Sequence, residues 1–232
     1  MEADLSTGNF LVAAAYVILA DMTDEQYSVG IEQWNSYLEQ LGFEIKSNTE
    51  WYVQPKKKEK NSDFSTMPKE IQMRTIYNAS RNADMICLRW DSEKLILQTE
   101  KSKRQAMEQP SQRLIMDFWL KWIELFAISK AKAITIEYVY SFAATDQNRS
   151  LFQFTDRQLV GERKIYRTGK NTILCIFVDA KKDANNIDHI IQSTQIGISV
   201  NSTDLGVLLS EHIESLNSKM EKYDDNYGKR DK

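Results

Sequence analysis

Metal binding or acid–base catalysis asks for histidines, cysteines and carboxylates at short, repeated spacings, and this chain offers few of them. Its 2 histidines, His189 and His212, are far apart, and neither has a second ligand one helical turn or one hairpin away. Asp188 is placed to orient the His189 imidazole, yet no serine or cysteine sits in a nucleophile turn to complete a triad. Asp84, Asp91, Glu93 and Lys94 flank strand-like runs in the loose manner of a metal-dependent nuclease. Carboxylates beside turns are more often simply solvated. None of the 8 glycines falls into a P-loop or dinucleotide-binding pattern. The residues lean against an enzyme and imply no metal and no cofactor. A nuclease-like catalyst with a site assembled around Asp84, Asp91, Glu93 and His189 is kept as one alternative.

Two basic clusters are the remaining candidates for binding chemistry. Lys56, Lys57, Lys58 and Lys60 follow Pro55, and Lys101, Lys103 and Arg104 come later in the chain. Such clusters suit an acidic protein surface or a nucleic-acid backbone, whose binding would weaken steeply with salt. Solvated loops explain them as well, because Phe64 is the only aromatic interleaved with the first cluster. With 30 basic against 33 acidic residues the net charge is -3, which gives no global field favouring nucleic acid or a membrane.

The elements that must carry these residues are easier to read. A proline before Ser111 marks a helix entry. From there Leu114, Phe118, Trp122 and Leu125 share one face, with Ile115, Trp119, Ile123 and Phe126 beside it. The period then changes to two: Ile134, Ile136, Tyr138, Tyr140 and Phe142 lie on one side, and Thr135, Glu137, Val139 and Ser141 on the other. That predicts an aromatic core helix followed by an antiparallel strand with one wet face. Upstream, residues 10–20 are compatible with a strand buried on both faces, with a helix as the alternative that three alanines keep open. Thr23 and Gln26 form a capping box for a helix carrying Tyr27, Ile31, Trp34, Leu38 and Leu41, which Gly42 ends. Strands are predicted at 43–54, 72–80, 85–90 and 94–99, the last two joined by a tight turn at Asp91, Ser92 and Glu93. Further strands fall at 151–155, 163–167, 172–179 and 187–200, before a last helix starting near Ser202 or Thr203 with Leu205, Leu209, His212 and Leu216 in its stripe.

Consecutive hairpins predict an α+β fold, mainly antiparallel sheet with about three helices packed on one face. The domain reading is an N-terminal α+β lobe over 1–144, a strand-rich C-terminal lobe with the closing helix over 145–223, and a flexible charged tail over 224–232, with one continuous domain for the two lobes as the alternative. A hydrophobic fraction of 42% supplies a core without metal or disulfide. Cys87 and Cys175 sit in apolar runs and read as reduced core residues. The N-terminus lacks a signal-peptide pattern, and the apolar run 10–20 is shorter than the roughly 20 residues a membrane helix needs. A cytoplasmic protein with no membrane contact is expected.

The succession of strand, hairpin, aromatic helix and AITIEYVYSF, with the later ILCIFVDAKK and a last helix carrying Leu205, His212 and Leu216, resembles a sporadically distributed, uncharacterised bacterial family of β-rich α+β proteins. The chain departs from it in having Glu137, Tyr138 and Tyr140 where the family has arginine and asparagine. The resemblance carries no catalytic residue. A scattered distribution implies an accessory component of a bacterial mobile element, of the immunity, antitoxin or antiphage kind. With no convergent reactive group, the leading expectation is a non-enzymatic subunit or neutraliser that binds a protein partner or forms a homo-oligomer. A nucleic-acid-binding accessory protein using the two basic clusters is the other alternative.

Overall fold

A computed structural model describes residues 10–55, 69–81, 86–100, 110–143, 162–167, 172–179, 187–196 and 202–228. In chain order these form β1 (Phe10–Ala20), α1 (Asp24–Gln40), β2 (Glu44–Pro55), β3 (Lys69–Arg81), β4 (Ile86–Trp90), β5 (Lys94–Glu100), α2 (Gln112–Leu125), β6 (Ala131–Ala143), β7 (Glu162–Arg167), β8 (Thr172–Asp179), β9 (Ile187–Ile196) and α3 (Ser202–Gly228). The described strands make a nine-stranded sheet in the order β2-β3-β4-β5-β1-β6-β9-β8-β7. Every neighbouring pair is antiparallel, which makes this an α+β fold. The strand expected at 151–155 and the lobe boundary at 145 lie outside the described residues. Across that interval β6 pairs directly with β9.

Alternation along the strands builds the core. Ala14, Tyr16, Ile18, Leu88, Trp90, Leu95, Leu97, Ile134, Ile136 and Tyr138 are buried, and they cluster with Trp34 and Leu38 of α1, Ile115, Phe118, Trp119 and Trp122 of α2, and Leu205, Leu209 and Leu216 of α3. The other face of β1 and β6 is only half-buried, at Ala13, Ala15, Val17, Leu19, Thr135, Glu137 and Val139. This corrects the expectation that β1 is buried on both faces. A continuous apolar run fits either arrangement, and only the neighbours decide.

The helix ends follow their local chemistry. Thr23 Oγ1 accepts from Gln26 N at 3.1 Å and Gln26 Oε1 accepts from Thr23 N at 3.0 Å, completing the capping box. Gly42 adopts φ 81°, where a side chain would strain the backbone, and turns the chain from α1 into β2. Ser111 caps α2, its Oγ accepting from Leu114 N at 3.2 Å. α3 runs to Gly228, past Tyr223 where the charged sequence suggested an end, because no helix-breaking residue intervenes.

Candidate functional site

Strand lengths, more than any cluster of reactive groups, distinguish one part of this molecule. β2 and β3 pair without a bulge from Glu44↔Ser80 to Pro55↔Lys69, whereas β4 pairs with β3 only from Tyr77↔Trp90 to Arg81↔Ile86. Residues 69–76 therefore have β2 as their only strand neighbour among the described residues. At roughly 3.3 Å per residue, the two-stranded ribbon runs on the order of 20 Å past the end of β4.

The face of this ribbon that continues the core turns polar at Ser47, Thr49 and Thr75 and apolar again at the Trp51–Met73 row. On it lie Ile45 opposite Ala79, Ser47 opposite Tyr77, Thr49 opposite Thr75, and Trp51 opposite Met73. Ala79 is buried and Tyr77 stacks on Trp90 with ring centroids 5.5 Å apart. Two rows further out, Trp51 is 69% and Met73 63% exposed. A cross-strand aromatic–methionine pair in water is a large apolar contact without cover, whereas scattered single hydrophobics need no explanation.

At the ribbon's base the carboxylates singled out by sequence have structural work. Asp91 is buried; its Oδ1 accepts from Glu93 N at 2.8 Å and Lys94 N at 3.1 Å, closing the β4–β5 turn. Its Oδ2 lies 3.5 Å from Arg74 Nη1. Arg74 also donates to both oxygens of Glu93, at 3.0 and 2.7 Å. Burial works against the Arg74 charge, and the Glu93 hydrogen bonds with the nearby Asp91 carboxylate outweigh it, so its pKa is raised. The cluster pins β3 to the β4–β5 turn.

The residues of a hydrolytic site are not brought together. The His189 backbone pairs with Ser141, the row of Phe10, while Asp91 follows Trp90 in the row of Leu95 and Ile18. The two rows are on the order of 25 Å apart along the strands. Asp84 lies outside the described residues. Among the described residues no group of three or more His, Cys, Asp or Glu is placed to hold a metal. His212 is buried in the α3 stripe with Leu209 and Leu216. Burial raises the Tyr27 phenol pKa, with Tyr77 and Asp91 adding to it, and burial beside Tyr16 raises that of Tyr138, so both stay protonated.

Lys56, Lys57, Lys58, Lys60, Lys101, Lys103 and Arg104 all lie outside the described residues. The strands that lead to them are described: β2 and β5 run in opposite directions, so Pro55 and Glu100 stand at opposite ends of the sheet. Cys87 is half-buried on the second face and is a reduced thiol. It belongs to β4 and Cys175 to β8, five strands apart in the sheet order and so separated by about 24 Å, too far for a disulfide. Trp90 is fully buried.

No family model matches the chain, and no curated protein or solved structure matches it. No helix among the described residues is long and apolar enough to cross a membrane. The sequence offers Trp51 and Trp90 alike as rings that could stack on a nucleic-acid base or pack in the core, and what it did not reveal is that Trp51 stays in water while Trp90 is buried. The signal for that difference was available only as a length mismatch, since the β3 run is longer than the β4 run that follows.

Proposed function

We propose that this protein is a non-enzymatic protein-binding subunit or neutraliser, and that the projecting β2–β3 ribbon is the surface that docks its partner. The observation that carries this reading is the exposed Trp51–Met73 pair, set on a regular strand pair held at its base by Arg74, Asp91 and Glu93. A rigidly mounted tryptophan loses little freedom on binding and removes a large apolar area from water, which is why tryptophan is enriched among binding hot spots. The setting implied by the family resemblance, an immunity, antitoxin or antiphage component of a mobile element, is one in which such a subunit acts by occupying another protein.

The test is capture by tagged full-length chain in its native host, compared with the Trp51→Ala/Met73→Ala variant. The wild type is expected to bring down a stoichiometric polypeptide, whether foreign or a second, differently tagged copy, and the variant to lose it. If neither form retains anything while both stay folded, the reading is wrong. The nucleic-acid alternative predicts retention on filters at low salt that falls steeply as salt rises.

A further inference from the structure

Strand β2 ends the sheet order, so one of its two edges has no strand neighbour among the described residues. Native proteins usually shorten, bulge or cover such an edge. β2 is 12 residues long and keeps one unbroken register against β3, and Lys46, Ser47, Asn48 and Thr49 in its middle are all exposed. The edge is therefore long and regular, a ready template for another strand.

From this we infer that β2 pairs antiparallel with β2 of a second copy of the chain, in the register centred on Asn48, giving one sheet across a two-fold dimer. The inference rests on the protein-binding reading above and names its partner. Two identical edges meeting about a two-fold axis normal to the sheet place residues of the same face opposite each other, so the register must be centred on a residue. Charge then chooses among the centres. Centring on Lys46 or on Glu50 sets a like pair face to face, and centring on Ser47 opposes Glu44 to Glu50 twice. Centring on Thr49 leaves Lys46 opposite Tyr52. Centring on Asn48 opposes Lys46 to Glu50 of the second copy, twice by symmetry, with Asn48 against itself on the axis.

The other face of the same register supplies the missing cover. Trp51 falls opposite Ile45 of the second copy, and Ile45 is half-buried, packed against the core at the base of the ribbon. Because the two strands run in opposite directions, the uncovered end of one ribbon lies beside the core end of the other. Glu50 already accepts from Arg89 Nη2 at 3.2 Å, so the incoming lysine completes a three-membered charge row. A lysine on an edge strand ordinarily guards against pairing. With Glu50 four residues on, the guard admits one register and rejects the others.

Sedimentation of the full-length chain across a concentration series tests this. The expected species is twice the 27.0 kDa of one chain. Lys46→Glu replaces two attractive pairs by two repulsive ones and should weaken dimerisation by about tenfold or more. The Lys46→Glu/Glu50→Lys double variant restores opposite charges between the copies but gives up the Glu50–Arg89 pair, so it should recover part of that loss, while Lys130→Glu, an exposed reversal far from β2, should change nothing. Circular dichroism of each variant confirms that the fold is kept. A chain that is monomeric at every concentration overturns the inference. So does a dimer that Lys46→Glu and Lys130→Glu weaken equally, or one that the double variant leaves as weak as Lys46→Glu alone. A monomer that still captures a foreign protein through Trp51 overturns the second-copy assignment alone, and the protein-binding reading survives.

Discussion

Asp91 shows how a carboxylate that looks available for chemistry can be fully committed to the fold. Both of its oxygens face groups that burial would otherwise leave unsatisfied: two backbone N–H groups of the turn and the Arg74 guanidinium. Asp91→Ala should therefore lower stability by about 3 kcal/mol in urea unfolding, since it orphans the turn donors and removes a charge partner from a mostly buried arginine. Asp91→Asn keeps an acceptor for the turn and should cost about half as much. Equal stability for all three proteins would show that the turn closes without this side chain. Glu137 presents the opposite case on the second face, beside Ala15. Burial raises its carboxyl pKa above the ordinary 4.5, so the folded chain holds that proton more tightly than the unfolded one. Its favourable contribution is present below the unfolded pKa and is lost as pH rises through the higher folded value. Glu137→Gln should thus melt higher than wild type at about pH 7, with the gap closing as pH falls toward about 4. A gap independent of pH would mean that packing, and not the charge, is responsible.

At the level of elements, α1 and α2 meet at Gly30. A Cβ built there would stand 2.6 Å from Phe126 Cδ1 and 2.9 Å from the Leu125 carbonyl oxygen, so a carbonyl and a ring in a close-packed core would both have to move. Gly30→Ala should then destabilise by about 1 to 3 kcal/mol, despite alanine's better helix propensity, and thermal melts of the two proteins decide it. A variant more stable than wild type would place the two helices further apart than described. Nothing near Gly30 in sequence announces this contact, because its partners come from the end of another helix. The features that were legible are local: the Thr23–Gln26 capping box, the stop at Gly42, the Ser111 cap and the turn at Asp91 each depend on atoms a few residues apart. The aromatic stripe of α2 was legible too, since a period of 3.6 over fourteen residues leaves little choice of face. Trp51 and Trp90 sit in similar strand-like surroundings, and only the point at which β4 stops beside β3 leaves one in water and the other under Trp34 and Tyr77.

At the scale of the whole molecule the proposed recognition surface lies at the sheet's margin, and the tryptophans report on that margin without a label. Of the 5 tryptophans, Trp34, Trp90, Trp119 and Trp122 are fully buried, and Trp51 is exposed. Acrylamide should therefore quench a minor fraction of the fluorescence, and Trp51→Phe should remove that fraction while leaving the near-ultraviolet dichroism of the buried rings in place. Pairing of β2 with a second copy moves Trp51 toward Ile45 of that copy, so the quenchable fraction of the wild type should shrink as protein concentration rises through the dimer's dissociation constant. In Lys46→Glu it should stay constant over the same range, because Trp51 remains in water. Quenching that persists in Trp51→Phe would mean that a core tryptophan is reached by solvent, and the division between a closed core and an open ribbon would then fail. Quenching confined to Trp51 but indifferent to concentration would leave the ribbon exposed in every assembly the chain forms with itself, and its partner would have to be foreign.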